Sequence, residues 1–85
     1  MDNNTKRYVV YGFDRDCQEN YMQDYDIELF EALESGRRDP MDYGEQLGEF
    51  DSEDEANECA VKYVDSHRSG DDASIYDREE KIWFN

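Results

Sequence analysis

The sequence predicts an α+β fold, a small single domain in which one antiparallel sheet is covered on one face by two helices. Three observations predict it. A run rich in aromatic and β-branched residues opens the chain, two stretches at helical spacing occupy its middle, and two short apolar runs around a polar turn close it. Eighty-five residues suffice for one modest core, so residues 1–85 are read as one unit. A net charge of −15 with few aliphatic residues is the usual mark of disorder, but seven Tyr, four Phe and a Trp supply the material of a core.

Taken in order, Lys6 to Asp14 reads as a first strand, because Tyr8, Val9, Val10, Tyr11 and Phe13 suit a pleated, half-buried surface. Residues 16–23 show no clear period. Ile27, Leu29, Phe30, Ala32 and Leu33 then form a helical stripe, with Asp24 or Asp26 as the expected N-cap and Gly36 as the stop. Pro40 beside Asp39, Asp42, Tyr43 and Gly44 marks a loop, followed by a short strand over residues 45–50.

The second helix has the clearest signal. Ser52 and Glu55 make an S-x-x-E capping box, and Ala56, Cys59, Ala60, Tyr63, Val64 and His67 recur at helical spacing until the helix stops before Gly70. Residues 73–78 and 81–84 form a closing hairpin around Asp77-Arg78-Glu79-Glu80. Val9, Tyr11, Phe13, Ile75, Ile82 and Phe84 are the sheet's expected core residues. Cys17 and Cys59 are too few and too far apart for a disulfide framework or a zinc site, and Cys59 reads as a small core residue.

Charge is distributed unevenly. Residues 1–15 and 62–85 are close to balance, whereas residues 16–61 hold sixteen acids against Arg37 and Arg38 alone. Acids in a first helical turn favour the helix dipole, which accounts for Asp26, Glu28, Glu53, Asp54 and Glu55. It does not account for Glu31, Glu34, Asp39, Asp42, Glu45, Glu49 or Glu58. Like charges at i, i+4 weaken a helix, and a helix selected for stability alone would alternate Glu with Lys. A single-signed binding face is therefore expected, with Asp24, Glu28, Glu31, Asp39, Asp42, Glu45, Glu49, Asp51, Asp54, Glu55 and Glu58 as contact residues. Tyr21, Tyr25 and Tyr43 lie within the acidic segment, either as contact anchors or as parts of the core.

The same charge excludes direct binding to nucleic acid or to an anionic membrane, since both need Lys/Arg patches. No apolar run is long enough to span a bilayer. Met1 is followed by Asp2, Asn3 and Asn4 rather than by a basic and then apolar signal, so a cytoplasmic location is expected. Asp14 and Asp16 begin a D-x-D pattern, but Glu19 stands where a calcium loop needs Gly and Tyr25 where it needs its bidentate Glu. His67 is the only histidine, and G-x-S-x-G, H-E-x-x-H and P-loop patterns are absent. Neither catalysis nor a metal nor a cofactor is expected.

In size and in the clustering of carboxylates across residues 16–61, the chain resembles the small acidic DNA-mimic inhibitors made by bacteriophages. These include anti-restriction proteins, inhibitors of uracil-DNA glycosylase, anti-CRISPR proteins and inhibitors of the nucleoid protein HU. They share no common fold or motif, so no site residue carries over. The resemblance implies a competitive inhibitor acting in the host cytoplasm, whose carboxylates occupy the Lys/Arg positions with which a host protein holds DNA phosphates. Sixteen charges match roughly 27 Å of duplex, and a symmetric homodimer would double that stretch. The rival expectation is an acidic adaptor or antitoxin-like module that binds a basic protein surface unrelated to DNA; a merely solubilising surface would spread its acids evenly.

Overall fold

The computed structural model describes residues 6–66 and 70–84. The expected strands are present: β1 (Tyr8–Phe13), β2 (Glu45–Phe50) and β3 (Asp72–Asp77), with a three-residue β4 (Ile82–Phe84) after the turn. They form one sheet in the order β2-β1-β3-β4, with every neighbouring pair antiparallel. Since β2 and β3 both run against β1, they are parallel to each other and flank it. The helix between them must therefore cross over the sheet, and α3 (Glu53–Ser66) does so.

The α+β class and the antiparallel sheet agree with the sequence; the helices differ in number and placement. There are three, α1 (Arg15–Tyr25), α2 (Leu29–Glu34) and α3, with a 3-10 turn at Asp39–Asp42, and they cover both faces of the sheet rather than one. Strand side chains alternate between faces. Tyr8, Val10, Ala73 and Ile75 meet Ala56, Ala60 and Tyr63 of α3, while Phe13 on the other face meets Tyr21, Leu29, Ala32 and Leu33 of α1 and α2. Burial on both faces explains why the central strand β1 reads as a nearly continuous apolar run, and β3 beside it is buried almost throughout, Ser74 and Asp77 included.

Helix α1 fills the stretch where no period was visible. It is held mainly by its ends: Asp14 caps it by accepting the Cys17 N–H at 2.8 Å, and Asp26 ends it in the left-handed region at φ 60, donating its N–H to the Met22 carbonyl at 2.8 Å. Asp26 thus stops one helix instead of starting the next, and α2 begins only at Leu29. Gly36, at φ 81, closes α2 with the paired bonds of a Schellman motif, Arg37 N–H to Ala32 O at 3.2 Å and Gly36 N–H to Leu33 O at 3.0 Å.

At α3 the Ser52 hydroxyl accepts the Asp54 N–H at 3.2 Å, so Ser52 caps the helix as expected, but through Asp54 and without the reciprocal Glu55 bond of a capping box. The role expected for His67 lies outside the described residues. Of the expected sheet core, Val9, Phe13 and Ile75 are buried and Tyr11 and Phe84 partly so. Ile82 is 50 % exposed, because it sits on the outer strand opposite Asp77, where the hairpin turns. Cys59 packs partly buried against the α3 core, as expected, and both cysteines are free thiols. No helix among the described residues is long and apolar enough to cross a membrane.

Candidate partner-binding surface

The apolar stripe of α3 fixes where its acids go. With Ala56, Ala60 and Tyr63 against the sheet, Asp54, Glu55 and Glu58 are turned to solvent, together with Val61 and Val64 at 56 % and 40 % exposure. On the opposite side of the sheet, Leu29, Ala32 and Leu33 of α2 point inward and leave Glu28, Glu31 and Glu34 exposed. The eleven expected contact residues therefore do not share one face. Asp54, Glu55 and Glu58 lie across the sheet from Glu28 and Glu31, and Asp24 belongs to α1, not to one helix with Glu28 and Glu31. Glu45 and Glu49 sit on β2, which is an edge strand.

Four of the eleven carboxylates are engaged inside the molecule. Asp39 accepts Nε and Nη2 of Arg37 at 3.3 and 2.8 Å, and the Tyr21 hydroxyl at 2.9 Å. Arg37, with help from Tyr21, holds the Asp39 carboxyl below its ordinary range against the opposing effect of burial. Glu49 accepts Arg78 Nη1 at 2.9 Å and is likewise lowered, chiefly by that bond. Asp24 receives the Tyr43 hydroxyl, and that acceptor is the main reason the Tyr43 phenol is raised. Asp51 pairs with Lys6 at 3.2 Å.

The remaining seven, Glu28, Glu31, Asp42, Glu45, Asp54, Glu55 and Glu58, are exposed and form no hydrogen bond or ion pair through their carboxylates with a described residue. These are the groups available to an outside cation. A further acidic concavity of about 420 Å³ gathers Asp14, Arg15, Asp16, Glu19 and Asp71. It was invisible in the sequence because Asp71 arrives from more than fifty residues away, where its Oδ1 accepts the Arg15 N–H at 3.0 Å. That bond and the Asp14 cap hold the N-terminal end of α1, with Asp16 in its first turn. Among the described residues, no three potential ligand side chains come together as a metal would require.

The three tyrosines divide between the two readings. Tyr21 is fully buried, and burial, reinforced by Asp39, pushes its phenol up to about 12. Tyr25 stacks on Tyr21 at 4.6 Å between centroids but remains 38 % exposed, with the Arg37 guanidinium 5.2 Å from its ring centre. Tyr43 closes the cluster edge-on at 5.3 Å from Tyr21. The cluster joins the end of α1 to the 3-10 turn, so its first role is packing, with Tyr25 as the one ring presented to solvent.

Comparisons with protein-family models, with curated proteins and with solved structures gave no match for this chain.

Proposed function

We propose that this protein is a non-enzymatic acidic inhibitor that occupies the basic DNA-binding surface of another protein, in the host cytoplasm, and so excludes DNA. The observation that carries the reading is the set of seven exposed carboxylates that have no partner among the described residues, in a chain with only nine Lys and Arg. Such acids cost the folded state self-repulsion, and they gain an offsetting interaction only when an outside cation meets them. The dimensions suit the role. The molecule extends 38 × 27 × 18 Å, and duplex DNA of that longest dimension carries about 22 charges. Acids on both sides of the sheet suit a partner that normally closes around DNA.

A second reading has one observation in its favour. Val61 and Val64 stand exposed on α3 among the acids, and a surface that only imitates phosphates has no use for them. An acidic adaptor that grips a basic protein with an apolar centre would use both.

The deciding experiment is capture of nuclease-treated bacterial lysate on the immobilised protein, eluted with salt and, separately, with short duplex DNA of arbitrary sequence. A basic protein released by both supports the inhibitor. A partner released by salt but indifferent to DNA supports the adaptor and overturns the inhibitor.

A further inference from the structure

The edge of the sheet at β2 has two properties that together suggest an occupant. Its outer side is unpaired among the described residues, since β2 is terminal in the sheet and its only strand neighbour is β1. Beside it, between the edge and α3, lies a concavity of about 280 Å³ lined by Phe50, Glu55, Glu58, Cys59 and Lys62. The floor owes its shape to Gly48: a Cβ there would stand 3.0 Å from the Phe50 ring, so the missing side chain lets the ring lie back along its own strand. Between Val10 and Tyr11 the register with β1 slips, leaving Leu47 as a bulge that sharpens the local twist.

We infer that this edge receives an extended segment of the partner as a fifth strand, with alternate side chains entering the concavity, and that those side chains are basic with apolar stems. An unpaired edge supplies main-chain hydrogen bonds, and a neighbouring groove reads every second side chain. Phe50 and Cys59 offer contact to the methylene stem of Lys or Arg, while Glu55 and Glu58 meet its charge and outnumber Lys62 in the same lining. Acids on an edge strand also guard against aggregation. A guard, however, needs only charge, not a groove with a partly exposed aromatic floor. A second copy of this chain is disfavoured as the occupant, because it would bring another net charge of −15 to the same edge.

This inference rests on the proposed basic partner and deepens it. The probe is a synthetic peptide of about eight residues alternating Lys and Val, long enough for one strand, titrated into labelled protein while amide shifts are followed by NMR. The expected result is saturable shifts over residues 45–50 and 55–62, lost when every peptide nitrogen is methylated, which keeps the charge but removes the donors. The double variant E55K/E58K should weaken binding at least tenfold. Equal binding of the methylated peptide, shifts confined to α1 and α2, or no shift on β2 at millimolar peptide overturns the edge site. A DNA-displaceable partner whose capture is unaffected by E55K/E58K would overturn it too, while leaving the proposed function standing.

Discussion

Arg7 and Asp77, seventy residues apart, meet in a two-pronged ion pair, with Nε donating to Oδ1 at 3.0 Å and Nη2 to Oδ2 at 2.9 Å. Asp77 is only 4 % exposed, and its Oδ1 also accepts the N–H groups of Glu79 and Glu80 at 2.9 and 3.2 Å. One carboxylate therefore ties the start of β1 to the turn between β3 and β4. Asp77→Ala should lower stability by about 2–3 kcal/mol, because it leaves turn donors and a guanidinium without their acceptor. Asp77→Asn should cost less. Urea denaturation of the two variants checks the order; equal and negligible losses would mean that the backbone bonds Arg78 N–H to Arg7 O and Lys81 N–H to Asp77 O hold the turn alone.

The pH dependence has two opposing parts. Arg7, Arg37 and Arg78 hold Asp77, Asp39 and Glu49 respectively below the ordinary carboxylate range. Stability from a lowered carboxylate is complete above its unfolded pKa of about 4 and is lost as pH falls through the folded value. Self-repulsion of a chain at −15 acts the other way and weakens as acids protonate. Stability should thus rise slightly from pH 7 to about 5 and fall below about 4. Added salt at pH 7 should raise the melting temperature by screening the repulsion. Thermal melts across pH and salt check both signs, and a salt-induced decrease would show that the ion pairs outweigh the repulsion.

Two glycines should respond to alanine for different reasons. At Gly12 an added Cβ would stand 2.6 Å from the Tyr63 ring, so Gly12→Ala must displace that buried ring or the helix that carries it, at about 1–3 kcal/mol. Shortening the ring by Tyr63→Leu should make the two substitutions clearly non-additive. Gly36 has open space around it but φ 81, so Gly36→Ala should cost about 1 kcal/mol through backbone strain alone, and Gly36→Asn less. Double-mutant denaturation curves separate the two mechanisms; additivity at Gly12 and Tyr63 would mean the helix moves aside freely.

How far the sequence reveals this molecule depends on how each element is stabilised. Strand β1 and helix α3 bury repeated apolar positions, and β3 buries Ala73 and Ile75, so their period is readable. Helix α1 buries only Tyr21 fully and is secured by Asp14, Asp71 and the left-handed Asp26, so it has caps but almost no period. The two-faced placement of the helices follows from long-range pairing of β1 with β3, which no local pattern encodes. For the acids, type and density were visible, whereas engagement was not. Asp39 has its cation two residues away, but Asp24, Glu49 and Asp51 find their partners 19, 29 and 45 residues away.

That division between engaged and free carboxylates gives the last prediction. Glu49→Lys should lower the urea midpoint, since it sets a cation against Arg78 and breaks a 2.9 Å bond. Reversing Glu28 and Glu31 should leave the midpoint unchanged or raise it, because these carboxylates have no partner among the described residues and stand three residues apart; reversing Glu55 and Glu58 should change it little, since it relieves repulsion with Asp51 and Asp54 but sets a cation at position 58 against Lys62. On partner binding the order should invert. Single reversals among the free acids weaken it modestly, and a four-residue reversal abolishes it and flattens its salt dependence. If binding survives the four-residue reversal with its salt slope intact, the free carboxylates are not what the partner recognises; if the midpoint falls as far as for Glu49→Lys, they were stabilising the fold and need no outside cation to explain them.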